Sequence, residues 1–321
     1  MSITGITGNR IALGYGACAA AGALWGTGFF WGRLALNEMN VEPMVLYRFL
    51  FASLGMLPVV LLLRPRKRFT GAELRALLTA AALGIPVQFL LQFHGLALTT
   101  VSHASLMVGA FPVILAAAAT LFAGERLDRF GWMALAGSTM GAGLIVTGSS
   151  HSGTAPGQPS TTGDLLVLAS LVTAMVWMLT SKKLMERHSP LSVSVYSTLS
   201  GTAMLAAWVL LSPLALGPRA HARIALPPTH FSATAWTALV LSGLLCTATT
   251  TLLWNWGIHR VPASRAGIFL NLEPAIGSWL GMQFLGERLG AWAWVGGALI
   301  LASALALTAR GLRSKPELIL D

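Results

Sequence analysis

The chain has 321 residues, 55% of them hydrophobic and only 10% charged, with a formal net charge of +10. Soluble domains carry about 25% charged residues, and a soluble protein this apolar would expose large adhesive patches. Two soluble domains of ordinary size are therefore excluded, and the basic excess needs an explanation other than nucleic acid.

In chain order, apolar runs fall at 11–32, 43–63, 74–97, 101–122, 130–148, 164–185, 191–212, 235–257, 263–284 and 292–309. Each can cross a hydrocarbon core of about 30 Å at 1.5 Å per residue. The runs predict an all-α integral membrane protein of ten transmembrane helices, with no room for a soluble domain. Thirty-four Gly and eleven Trp suit close helix packing and interfacial anchoring. The small residues Ala17–Ala23 of the first run resemble a signal-peptide cleavage region. Apolar character continues through Phe30, which favours a retained helix.

The basic residues are distributed by topology. With a cytoplasmic N-terminus, 16 Lys and Arg fall inside, four (Arg33, Arg219, Arg223 and Arg288) fall outside, and Arg48 lies within the second span. This positive-inside bias predicts cytoplasmic termini and a protein of the bilayer rather than a partner of nucleic acid. Cys18 and Cys246 lie within spans, so neither a disulfide framework nor a zinc site is expected. Neither a Walker sequence nor HExxH is present, so no cofactor, metal or catalytic set is expected. The segment "SSHSGTAPGQPSTTGD" reads as a flexible external linker.

The chain also repeats itself. "FAGERLDRFGW" begins at Phe122 and "FLGERLGAWAW" at Phe284, so Gly124 and Gly286 stand 162 residues apart. In the same register Gly95 meets Gly257, Ser102 meets Ser264, Pro112 meets Pro274 and Trp132 meets Trp294. Five spans per half is an odd number, so the halves must cross the membrane in opposite directions. Inverted repeats of this kind recur in secondary transporters, with a midplane site between halves that rock. The expected organisation is a first five-helix repeat at 1–148, a linker at 149–163, an inverted second repeat at 164–310 and a cytoplasmic tail at 311–321. The Gly-Glu-Arg-Leu hairpins read as capped, solvated turns, with gating as the alternative.

Polar and aromatic residues inside the spans are the candidates for a site. Glu273 lies about 15 Å into span nine at 1.5 Å per residue, where a carboxylate is expensive unless paired, protonated or functional. Pro112 and Pro274 each remove a backbone donor near mid-membrane and are candidate hinges. Gln88 and Gln92 share a helical face, as do His103, Met107 and Phe111. That mixture of amides and soft or aromatic groups would suit an amphipathic cargo. Trp25 and Trp177 are too deep for an interfacial belt, and Asn271 is a buried amide in need of a partner. For each of these residues, packing or internal hydrogen bonding is the competing reading. Arg48 is shallow enough to reach the interface by snorkelling, with a substrate carboxylate as its alternative partner.

The run "ALWGTGFFWGRLAL", the segment "LEPAIGSWLGMQFLGERL" and its first-half copy "AFPVILAAAATLFAGERL" resemble the EamA-type drug/metabolite transporter superfamily over nearly the whole chain. Within it the similarity is nearest to YddG-like amino-acid exporters of the bacterial inner membrane. The resemblance implies a ten-helix basket around a central cavity, with spans five and ten peripheral. It also implies export of amino acids or related metabolites, with a small molecule and the lipid bilayer as partners. Drugs, nucleosides or other metabolites are the alternative cargo, an intramembrane enzyme or receptor the alternative class.

Overall fold

A computed structural model describes residues 3–62, 69–114, 117, 129–149, 158–216, 231–258 and 267–311. The first Gly-Glu-Arg-Leu copy and most of the 149–163 linker lie outside the described residues. All the regular structure within them is helical. In chain order the helices are α1 (Ile3–Gly26), α2 (Gly28–Leu36), α3 (Val41–Leu62), α4 (Gly71–Ala82), α5 (Gln88–Leu98) and α6 (Val101–Val108). They continue as α7 (Arg129–Ser149), α8 (Thr161–Met185), α9 (Pro190–Leu216), α10 (Ala233–Gly243), α11 (Thr250–Ile258), α12 (Leu272–Phe284) and α13 (Ala291–Gly311). Among the described residues, six continuous helical stretches are long and apolar enough to cross a membrane by themselves.

Several of the expected spans are interrupted rather than straight. The first is divided into α1 and α2 at Thr27. The third joins α4 to α5 through a π-helical turn, Leu83–Val87, which contains Pro86, and the eighth joins α10 to α11 through a second such turn, Leu244–Thr249. In the fourth, α6 gives way to a turn at Gly109 and Ala110 before helix resumes over 111–114. In the ninth, a 3-10 segment, Gly267–Asn271, leads into α12. Pro112 and Pro274 each stand just after the irregular stretch of their span, where a missing N–H and a fixed φ are tolerated.

Packing follows small residues. α7 lies against α13, α5 against α8, α1 against α11, α6 against α12 and α3 against α9. Side chains added at Gly141 or Gly296 would strike the other helix's backbone, and one at Gly277 would strike Ser105. Large apolar side chains such as Leu61, Met133, Trp279 and Trp294 remain exposed on the outside, as a lipid-facing surface requires.

Helix ends are tied together by a few polar residues. The Glu287 carboxylate accepts 2.7 Å hydrogen bonds from the backbone N–H groups of Val101 and Ser102, the otherwise orphaned first donors of α6. Gly286 turns the chain with φ of 66°, a left-handed conformation that glycine adopts without a Cβ penalty. Gly281 leaves the space in which the carboxylate and the Ser102 hydroxyl sit. Thus the second Gly-Glu-Arg-Leu copy is neither a free surface turn nor a local cap: it caps a helix from the other half of the sequence. Arg33 similarly donates to the carbonyls of Leu96 and Thr99 at the end of α5.

In the loop after α2, the Ser232 hydroxyl and, next, its backbone N–H hold the Glu38 carboxyl below its ordinary value. A depressed folded-state pKa contributes stability above the carboxylate range that disappears as the pH falls through it. Glu38→Gln should therefore melt below the parent protein at pH 7 in detergent, and the gap should close on acidification. Glu287→Ala leaves two helix donors without their charged acceptor and should lower stability by about 1–3 kcal/mol, read from thermal unfolding followed by circular dichroism.

Candidate substrate-binding site

The interrupted helices meet at one place. A cavity of about 150 Å³ is lined by Gly28 beyond the Thr27 turn, by Gly84 and Ile85 of the first π turn, and by Val108 and Phe111 on either side of the α6 break. Cys246 and Thr247 of the second π turn line it too, as do Leu270 and Glu273 at the start of α12. Irregular backbone inside a membrane is tolerated where protein or a cavity satisfies it, and π turns mark functional positions in many helices. Among the described residues, no lining residue comes from α7 or α13.

Arg48 is the chief surprise. It is 4% exposed and therefore does not snorkel to an interface. Its Nε donates to Thr247 Oγ1 at 3.0 Å, and its guanidinium carbon lies 5.2 Å from both the Phe89 and Phe93 ring centres. Thr247 is oriented in turn by donating to the Ser242 carbonyl, five residues back, across the π turn. Thus a cation from α3 is seated on two aromatic rings from α5 and one hydroxyl from span eight. Glu273 lines the same cavity from α12 and interacts electrostatically with Arg48 without an ion pair within 4.0 Å.

Six of the nine binding residues expected from sequence line the cavity: Trp25, Gln88, Gln92, Phe111, Trp177 and Glu273. Trp177 packs against Gly84, where any Cβ would overlap its ring, and donates from Nε1 to Ser197 Oγ at 3.2 Å. Trp25 packs against Trp254 with ring centres 5.4 Å apart. The other three lie elsewhere. Met107 is fully buried in the apolar core, and Asn271 is buried at the foot of α12. His103 is buried rather than solvated, its Nδ1 3.4 Å from the Asp164 carboxylate, which also accepts a 2.6 Å bond from Thr99. One helical face had grouped His103, Met107 and Phe111, but the turn at Gly109 and Ala110 separates them. Sequence reasoning also missed Thr247 and Cys246, two small polar groups in an apolar run, because nothing in the run reveals a π turn.

These features define a helical membrane protein with an amphipathic internal cavity bounded by broken helices. The chain belongs to the EamA-like transporter family, whose profile matches residues 12–147 and again 161–309. It is 29% identical over 299 residues to a Streptantibioticus cattleyicolor protein named "Probable terminal-alkyne amino-acid exporter", covering 91% of this chain and 92% of that one. Similarity extends to an uncharacterized transporter of Archaeoglobus fulgidus, 24% identical over 89% of this chain and 94% of the relative. Another is YwfM of Bacillus subtilis, an uncharacterized transporter 25% identical over 89% and 93%. One solved crystal structure matches with a TM-score of 0.61 over 95% of this chain and 98% of the other, at 18% identity, a likeness of fold alone.

Gly84→Ala tests the cavity wall. The added methyl must displace Trp177 and its bond to Ser197. Overpacking of this kind should lower stability by about 1–3 kcal/mol and change the intrinsic tryptophan fluorescence of the folded protein.

Proposed function

We propose that this chain is a secondary transporter exporting small metabolites, amino acids with aromatic or other hydrophobic side chains foremost, across the bacterial inner membrane by alternating access. In this reading its ten spans form two inverted halves, residues 1–148 and 164–310, joined outside by 149–163, with the tail at 311–321 and both termini cytoplasmic. The two π turns support the duplication, since Val87 and Thr249 stand in the same register as the sequence repeat. So does the packing: α5 against α8, spans three and six, has its counterpart in α11 against α1, spans eight and one. The observation that carries the functional reading is the cavity itself, which collects residues from both proposed halves at their helix breaks.

Such a cavity suits a cargo with a polar end and an apolar body, because a few placed polar groups fix orientation while apolar walls take up surface. Trp25, Phe111 and Trp177 supply apolar and aromatic wall, Gln88 and Gln92 amides, and Glu273 charge. Pro112 and Pro274 act as hinges in this reading, since each follows a stretch of spans four and nine that has already left α-helical geometry. The relative from Streptantibioticus cattleyicolor bears an amino-acid exporter's name, which favours amino acids over drugs or nucleosides.

Purified protein in proteoliposomes should take up labelled phenylalanine or leucine saturably, compared with and without a pH gradient. Gradient dependence would identify proton coupling. Folded protein that takes up no amino acid while moving nucleosides or organic cations would replace the amino-acid reading.

A further inference from the structure

We infer that Arg48 and Glu273 form a two-pole receptor for a zwitterionic α-amino acid with a neutral, apolar side chain, Arg48 taking the carboxylate and Glu273 the ammonium. The assignment rests on the amino-acid reading above and narrows it.

Arg48 has one edge committed and one edge open. Nε is held by Thr247, and the rings of Phe89 and Phe93 pack near the guanidinium. Neither terminal nitrogen makes a hydrogen bond among the described residues. Both lie near Gly28, where an added Cβ would stand in ordinary contact at 3.6 and 3.8 Å from Nη2 and Nη1. Glycine at that position adds no side chain beside the fork, and both residues line the cavity. A guanidinium fork and a carboxylate match in geometry, two donors to two acceptors.

Glu273 is the complementary case. Its carboxylate lines the cavity and makes no hydrogen bond among the described residues. It forms no ion pair with Arg48 within 4.0 Å, although the two feel each other's charge. Opposite charges in an apolar cavity would ordinarily close on one another. Here Arg48 is anchored by Thr247, and Glu273 rides on the first turn of α12, stiffened by Pro274. Gln88 Oε1, also in this cavity, is a buried acceptor without a hydrogen-bond partner.

A ligand bearing both charges satisfies both poles at once. A simple amine leaves Arg48 unpaired, and a simple acid leaves Glu273 unpaired; either is penalised by the buried charge that remains. Arg48 and Glu273 are the only ionic side chains among the described lining residues, so an acidic or basic side chain finds no counter-charge of its own. The volume of about 150 Å³, similar to that of a cavity known to admit benzene, limits the cargo to a small molecule, and Trp25, Phe111 and Trp177 supply apolar wall for its side chain.

The test uses the full-length protein in proteoliposomes, with labelled phenylalanine uptake challenged by phenylalanine, phenethylamine and 3-phenylpropanoate. Binding is followed in parallel by the fluorescence of the cavity tryptophans. Phenylalanine should outcompete both analogues by at least about tenfold, since a site built for a polar group rejects the analogue that lacks it. In Glu273→Gln the acid should become as good a competitor as the amino acid, and in Arg48→Gln the amine should. Arg48→Lys, which keeps the charge but not the fork, should fall between. An analogue that matches phenylalanine in the parent protein, while phenylalanine is still taken up, would overturn the receptor and leave the transporter standing. An unchanged order of preference in both Gln variants would overturn it as well. Should either variant fail to fold, the analogue series on the parent protein decides alone. Folded protein that neither binds nor takes up any amino acid removes the underlying reading itself.

Discussion

A hydrocarbon environment supplies no hydrogen bonds, so every backbone polar group in this chain has to be satisfied by the protein or by an enclosed cavity. The rest of the structure depends on that constraint. Most helices meet it by remaining helical, and large apolar side chains stand exposed on their outward faces, beside threonines such as Thr139 and Thr237 that bond back to their own helix. Departures from helix are then concentrated where protein surrounds them: the Thr27 turn, the two π turns, the break after α6 and the 3-10 entry to α12 all border one cavity. The site is thus located less by any single residue than by the places where five spans stop being regular.

The same constraint explains how scarce charges are used. Glu287 occupies the donors that begin α6, and Arg33 the carbonyls that end α5. Asp164, fully buried near the start of α8, accepts from Thr99 and faces His103. Each polar group serves a helix end or a polar side chain on a different span, so the ties run between elements distant in sequence. The second Gly-Glu-Arg-Leu copy has a physical meaning in this light. Its glycine permits the left-handed turn at residue 286, and its glutamate reaches across to a helix that the local sequence does not contain.

Arg48 and Glu273 stand apart from that pattern. Neither side chain hydrogen-bonds to a helix terminus among the described residues, and the two form no ion pair within 4.0 Å. Aromatic rings and one threonine hydroxyl position the cation, while a proline-stiffened turn carries the anion. Charged groups left open in an apolar chamber are poor structural elements and good recognition elements.

How much could be read without the fold follows from the range of the interactions involved. Apolar runs and their lengths disclose a membrane protein because insertion is governed by summed transfer free energy, which composition carries directly. The register of Pro, Glu, Gly and Trp discloses duplication, and the deep Glu273 marks itself because ionised groups are rare at that depth. Trp25, Gln88, Gln92, Phe111 and Trp177 could be singled out for the same reason, as polar or bulky groups in apolar surroundings. Helical periodicity then misled at His103 and Met107, because a face drawn on a regular helix does not survive a turn at Gly109 and Ala110. Arg48 looked like an interfacial residue since depth along one span says nothing about the rings and hydroxyl that other spans bring to it. Sequence by itself thus determined the class of protein, its all-helical character and its two related halves, all of which depend on local composition and periodicity. Only the tertiary structure decided which side chains share the cavity, because that depends on where helices break and on contacts between residues as far apart as Arg48 and Thr247.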